Sequence, residues 1–165
     1  MVRETKTKTF TLFLTVAILI IAIFAPCNSG IASSSLATLH PGCSCIDRLL
    51  YPFFHASFFH AALNCWCLLS LVFAYHISIH MLALAFVVAS SVPSIIIGGP
   101  TVGLSGICFF LMGRCSFLAQ RTLLYHFYCI FYLAIGFLFP ACAASLHLYS
   151  YICGFFIGWL NSTTK

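Results

Sequence analysis

Apolar residues along this chain gather into six long runs, at 10–25, 53–75, 80–97, 102–118, 122–139 and 145–160. Most come close to the ~20 residues that a helix needs to cross a bilayer. The pattern therefore predicts an all-α protein, a polytopic bundle of six transmembrane helices. Polar residues between the runs suffice only for short turns, with one exception. Residues 26–52 open on a Ser/Ala/Gly-rich stretch and carry Pro41-Gly42, Cys43, Cys45 and the charge pair Asp47-Arg48, so they read as the one sizeable loop. The expected organisation is a tail over 1–9, a single membrane domain over 10–160 and a tail over 161–165.

Composition agrees: 62% of residues are hydrophobic and 5% charged, which is the balance of an integral membrane protein. Arg3, Lys6 and Lys8 precede the first run, Arg114 and Arg121 flank the turn between the fourth and fifth, and Lys165 follows the sixth. Only Arg48 falls on the other side, so the positive-inside rule puts both termini in the cytoplasm and the long loop outside. The net charge of +5 is then a topology signal and gives no reason to expect a nucleic-acid partner. The first run also resembles a signal peptide, but Pro26 disfavours cleavage after Ala25, and a retained helix is expected. Of ten cysteines, six lie within runs and read as small apolar packing residues. Cys27, Cys43, Cys45 and Cys142 fall outside, where an oxidising compartment would let them pair.

Against this background the polar residues stand out, because an ionisable or amide side chain at membrane depth is costly and is by default a functional candidate. Gly103-Leu104-Ser105-Gly106 places a serine between glycines at the outer start of the fourth run. His55, His60 and Asn64 open the second run, with His55 expected in its first turn and His60 and Asn64 sharing a face at i and i+4. His147 opens the sixth run at similar depth, 42 positions after Ser105. About 13 Å of helix separates Ser105 from Arg114. With Arg114 at the inner interface, Ser105 sits near mid-membrane, and Gly98-Gly99-Pro100-Thr101 must dip inward as non-helical backbone, which requires protein or a water-filled cavity around it.

Chemistry then narrows the reading. At a helix start the first N–H groups are unpaired and the dipole is positive, so an oxyanion near Ser105 would be stabilised by that backbone, with His60 and Asn64 as side-chain donors. Gly103 and Gly106 allow close approach. His147 shares a face with Ser150, Gly154 and Gly158, a small-residue seam that fits Gly106 and Gly113 on the fourth run and would bring His147 against Ser105. Glu4 lies in the tail and Asp47 in the loop, so a buried Ser-His-Asp triad is not expected; a Ser105–His147 dyad is, with His147 as general base and then acid. No HExxH occurs, and neither metal nor cofactor is called for.

Together these residues resemble the rhomboid family of intramembrane serine proteases, of the small bacterial type with a six-helix core. His55-Ala-Ser-Phe-Phe-His60-Ala-Ala-Leu-Asn64 resembles the family's second-helix motif, Gly103-Leu104-Ser105-Gly106 its GxSG motif, and His147 with its glycine-lined helix the catalytic histidine helix. The resemblance covers residues 48–158. It implies Ser105 as nucleophile, His147 as base, His60 and Asn64 as oxyanion partners and His55 as a brace, acting on transmembrane protein substrates within the lipid bilayer. A bacterial inner membrane is the expected location. Three positions depart from the family: Phe109 stands where many bacterial members stack a tyrosine on the catalytic histidine, Ser150 replaces a glycine, and Asp47-Arg48 stands for a Trp-Arg-type loop motif one residue out of place.

The remaining histidines read as structural. His76 and His80 have i, i+4 spacing but flank a turn, His126 is expected at the interface and His40 in solvent. Aromatics of the fifth run, Tyr125, Phe127, Tyr128, Phe131 and Tyr132, are expected to face lipid or to pack, and contacts of Trp66 or Phe58 with Phe131 or Tyr128 would close a lateral path to Ser105. Two other classes compete with the protease: a catalytically inactive rhomboid-like protein that binds transmembrane segments, and a small channel or transporter using its histidines. The retained dyad and the near-absence of membrane carboxylates disfavour them.

Overall fold

The computed structural model describes residues 2–24, 37–138 and 143–163. Among them the fold is all-α: α1 (Val2–Phe24), α2 (Cys45–Leu50), α3 (Phe58–Ala74), α4 (Ile79–Ser90), α5 (Ser105–Cys115), α6 (Thr122–Leu138) and α7 (Ala144–Thr163). The only extended pairing among the described residues is one antiparallel bridge between Leu39 and Thr101. Cys27 and Cys142 lie outside the described residues, as does the stretch around Ala25 that a signal peptidase would meet; Cys43 and Cys45 are free thiols.

Serines set the helix starts. Ser57 accepts from the His60 N–H at 3.1 Å and Ser78 from the Met81 N–H at 3.3 Å, each satisfying one of the N–H groups that a first turn leaves unpaired. Ser44 and Asp47 form a reciprocal capping box on α2, a helix that the sequence reading had taken for loop. These caps correct one expectation: because Ser57 starts α3, His55 lies in the connection before the helix rather than in its first turn. They also keep His76 and His80 apart, since α3 ends at Ala74, His76 takes a left-handed backbone (φ 50°) and α4 begins only after Ser78.

α3, α4 and α5 are shorter than the apolar runs that hold them, whereas α1 and α7 extend beyond theirs. Thr5–Phe24 is long and apolar enough to cross a membrane alone; Cys45–Phe53 with Phe58–Ala74 passes only as a pair bent by 86°; Ile79–Ser90, Ser105–Cys115 and Thr122–Leu138 are shorter apolar helices. The physical reason is local. Pro93 and the Gly98-Gly99-Pro100 segment cannot continue a helix, so residues 94–96 make a single 3-10 turn and residues 97–104 run irregularly to Ser105.

α5 is the centre of the bundle and packs on α7, α4 and α3, while α1 packs on α3. The α5–α7 contact is set by glycines. A Cβ at Gly113 would collide with the Tyr151 backbone, one at Gly154 with the Phe110 backbone, and one at Gly158 would lie 2.7 Å from the Arg114 carbonyl. The small-residue seam read from the sequence therefore brings the α5 and α7 backbones into close approach. A second seam was not anticipated: Thr7, Thr11 and Thr15 are buried on one face of α1. The Thr11 and Thr15 hydroxyls donate to carbonyls of their own helix at 2.9 Å, which removes the cost of burying them.

α6 is different. It leans on α7, and Trp66, Phe58, Tyr128 and Phe131 are each half-exposed or more with no ring contact between α3 and α6 at those positions. The expected contacts of Trp66 or Phe58 with Phe131 or Tyr128 are thus not made. The helices meet instead at Tyr75 and Tyr125, edge to face at 6.2 Å, where the Tyr125 hydroxyl donates to the Met112 carbonyl at 2.9 Å.

Candidate active site

Gly103 has a positive φ of 117°, a conformation that side chains other than glycine rarely adopt. Its N–H donates to the Tyr51 carbonyl at 2.9 Å. A Cβ there would approach His60 Cε1, Asn64 Nδ2 and His55 Cδ2 to 3.1–3.3 Å, so the missing side chain is what lets the chain cross the face of the three polar residues. The next N–H, from Leu104, donates to His55 Nε2 at 3.3 Å. That bond fixes His55 Nε2 as an acceptor and pins the residue just before Ser105. Leu104 forms the N-terminal cap of α5 without a side-chain hydrogen bond, leaving the first N–H groups of α5 with no carbonyl in their own helix.

Ser105 Oγ lies 2.8 Å from His147 Nε2, so the two side chains are at hydrogen-bond distance across the α5–α7 seam. His147 is 8% exposed, and the Phe109 ring stacks on it with centroids 4.4 Å apart and planes inclined by 19°. Phe109 therefore holds the imidazole plane as a tyrosine would, without a hydroxyl. Ser150 accommodates the close approach that a glycine would, its Oγ 3.5 Å from a Cβ built at Gly106.

His60 and Asn64 stand on one face of α3 beside this pair. His55 and His60 meet edge to face at 5.1 Å, and Cys108 on α5 approaches the Asn64 carbonyl at 3.6 Å. Asn64 Nδ2 is buried without a hydrogen-bond partner. Buried amide donors are nearly always satisfied, and this one lies beside Gly103, where an added Cβ would come within 3.2 Å of it. Every site residue named from the sequence, His55, His60, Asn64, Gly103, Leu104, Ser105, Gly106 and His147, falls within this one constellation.

Among the described side chains no carboxylate is part of it. Asp47 accepts from the Ala37 N–H at 2.9 Å, the Ser44 N–H at 3.0 Å and the Ser44 hydroxyl at 2.7 Å. The Ser44 hydroxyl, and then the Ala37 N–H, hold its carboxyl below the ordinary value of 3.8. No group of three or more His, Cys, Asp or Glu side chains among the described residues is arranged to hold a metal ion.

Three supports were missed in the sequence. Tyr51 offers its carbonyl to Gly103 and donates its hydroxyl to the Ala89 carbonyl at 3.1 Å. Arg48, despite its shifted position, docks the loop: Nη1 donates to the Val92 carbonyl at 2.6 Å and Nη2 to Ser94 Oγ at 2.7 Å. The Ser145 hydroxyl donates to the Ile96 carbonyl at 2.7 Å, tying the start of α7 to the segment that leads into α5. A lone charge and a Tyr-Pro pair in the long loop were the available signals. His126, expected at the interface, has its Nδ1 2.9 Å from the Tyr151 hydroxyl. Compared with protein-family models, curated proteins and solved structures, the chain matches none of them.

Proposed function

We propose that this chain is a rhomboid-type intramembrane serine protease that hydrolyses peptide bonds in or near transmembrane segments of other membrane proteins. The observation that carries the reading is the 2.8 Å approach of Ser105 Oγ to His147 Nε2, beside the unpartnered Asn64 amide. In the first step His147 takes the Ser105 proton as Oγ attacks the scissile carbonyl. The oxyanion forms near the first N–H groups of α5 and the side chains of His60 and Asn64, donors oriented before the charge develops. His147 then protonates the leaving amine, leaving an acyl-enzyme on Ser105. Water, deprotonated by the same imidazole, hydrolyses that ester and restores the dyad.

A membrane setting with six crossings supports this chemistry. Large apolar side chains point outward around the bundle, Phe13 at 73% and Trp66 at 74% exposure among them, and a surface of this kind marks a membrane contact. The eleven residues of α5 reach about 16 Å, roughly half of a hydrocarbon core. Residues 97–104 continue that crossing as irregular backbone, buried over 102–104, where such backbone needs protein around it, and exposed at Gly98 and Pro100, toward the outer end. Lipid bilayer and transmembrane substrates are then the partners, with both termini on the inner side.

The decisive experiment is covalent labelling of the detergent-solubilised protein with a fluorophosphonate. Labelling is expected in the native chain, to be lost in Ser105→Ala and to fall sharply in His147→Ala. Equal labelling of Ser105→Ala would falsify the assignment.

A further inference from the structure

An apolar concavity lies beside Leu104, the residue before Ser105. It has a volume of about 260 Å³ and is walled by Phe10 and Leu14 of α1, Ile79 and Ala83 of α4, and Leu104 and Ile107 of α5, with Leu68 and Phe53 closing it behind; none of its lining residues is polar. α1 packs chiefly on α3 and α4 chiefly on α5, so the concavity is the space left between two outer helices. Ile79, Phe10 and Ala83 are exposed at its rim, and it therefore opens sideways from the bundle.

Size and chemistry select the occupant. An apolar cavity of about 150 Å³ holds a benzene ring, so this one takes a chain of about ten carbons by the same measure. A transmembrane peptide helix, about 10 Å across, has over even two turns a volume well above the 260 Å³ of this cavity. An extended peptide would leave its N–H and C=O groups facing walls that offer them no partner. A hydrocarbon chain meets neither obstacle. Charge marks which end its headgroup occupies. Lys6, Phe10 and Leu14 follow one another at i, i+4 and i+8 on α1, which places them on one face, and Lys6 is exposed one turn beyond the cavity. His80 neighbours Ile79 at the corresponding end of α4. A cation at the interface and a dry slot beneath it are complementary to an anionic headgroup and its acyl chain.

We propose that this cavity binds one acyl chain of an anionic glycerophospholipid from the leaflet that faces the N-terminus, with Lys6 meeting its phosphate. The inference rests on the membrane placement proposed above and not on the protease chemistry. The lipid would pack against Leu104, the residue whose N–H is held by His55, and so underlie the turn that presents Ser105.

The test uses the full chain in non-ionic detergent, titrated with dioleoyl phosphatidylglycerol or dioleoyl phosphatidylcholine and weighed intact by native mass spectrometry. One phosphatidylglycerol is expected to be retained per chain, with about tenfold weaker retention of phosphatidylcholine. Ala83→Trp, which fills the slot from its exposed rim, should abolish retention. Lys6→Glu, which leaves the walls intact, should weaken it about tenfold or more, and Val87→Trp, exposed on α4 but outside the cavity, should leave it unchanged. Equal retention of the two lipids, unchanged retention in Ala83→Trp, or equally tight binding of free oleate would each overturn the proposal. Should Ala83→Trp fail to fold, Lys6→Glu still decides. Fluorophosphonate labelling of the native chain is read alongside: labelling without lipid selectivity sinks only this inference, and lipid selectivity without labelling sinks only the protease reading.

Discussion

α5 and α6 both pack against α7, and they do so in opposite ways. Along α5 the backbones approach so closely that Gly113, Gly154 and Gly158 have no room for a Cβ, and the dyad straddles that seam. Along α6 the contact is sparse, and most of its aromatic residues, Phe127, Tyr128, Phe131 and Tyr132 among them, are exposed. Chemistry needs reacting groups held to within a fraction of an ångström, whereas a substrate arriving sideways needs a helix that can move. On the proposed function, these demands fall to two neighbours of one helix. The molecule can be loose beside α6 because it is tight beside α5.

The comparison is tested most severely at the tight seam. Gly154→Leu places a side chain into the Phe110 backbone, and overpacking of even well-relaxed cores costs about 1–3 kcal/mol. Here the obstacle is backbone, so the helices must separate, and both fluorophosphonate labelling and cooperative thermal unfolding are expected to be lost. A substitution of similar size on the outer face of α6, Ile130→Trp, should leave the melting temperature nearly unchanged. Comparable losses in the two variants would erase the distinction between the helices.

Next in size is the oxyanion side. Asn64→Ala removes the amide that lies buried without a partner, and the loss of one such donor lowers kcat by about 10²–10³ where it acts with few others. The first N–H groups of α5 share the task, so a fall of roughly ten- to a hundredfold is expected, with the melting temperature retained or raised because an unsatisfied polar group has been removed. Full turnover in this variant would make Asn64 a packing residue. Gly103→Ala should act through the same corner, since it strains a backbone at φ 117° and presses on three polar side chains; strain of this kind is worth about 1–3 kcal/mol.

These residues were legible in the sequence for a physical reason. In a chain with so few polar groups inside its apolar runs, each one is conspicuous, and helix periodicity alone aligns His60 with Asn64 and His147 with its glycines. What supports them was not legible. Arg48 reaches Val92 and Ser94, 44 and 46 positions away, and Tyr51 reaches Gly103 across the fold; no periodicity links such pairs. α2 was hidden because six residues are too few to show a pattern, and the third apolar run overstated α4 because it ran through Pro93 without a change in hydropathy, whereas the non-helical stretch over 98–101 was legible. The facing partners proposed for the second and fifth runs failed for the same reason, since the lean of one helix against another is a tertiary property.

On the loose side, besides the His126–Tyr151 contact, α6 is held by the Tyr75–Tyr125 pair and by the Tyr125 hydroxyl on Met112. Tyr125→Ala cuts the last two and should loosen α6, raising cleavage of a transmembrane substrate by roughly threefold while lowering the melting temperature. Fluorophosphonate labelling, which needs no helix to part, should change less. Trp66→Ala and Phe131→Ala shrink side chains that do not touch across the gap, so substrate cleavage should stay near the native rate. If instead these two accelerate cleavage and Tyr125→Ala does not, α6 is restrained by its outer half.

The smallest effect belongs to the loop that closes the outer side, and it is read through pH. Asp47 is held below its ordinary value of 3.8 chiefly by the Ser44 hydroxyl, and next by the Ala37 N–H. For a carboxyl depressed in the folded state, the contribution to stability is complete above the unfolded value and is lost as pH falls through the folded one. Native loop anchoring should therefore persist at pH 5 and fail only in stronger acid. Asp47→Asn cannot return the same charge-assisted bonds, so it should resemble the acid state already at neutral pH. The group is exposed, and its bonds compete with water; the expected change is a slightly lower melting temperature, with cleavage altered less than about twofold. The gap in melting temperature between native chain and variant should close as pH drops below the depressed value. A gap that stays constant down to that pH would mean that Asp47 stabilises the loop by packing rather than by charge, and that the outer loop is held by Arg48 alone.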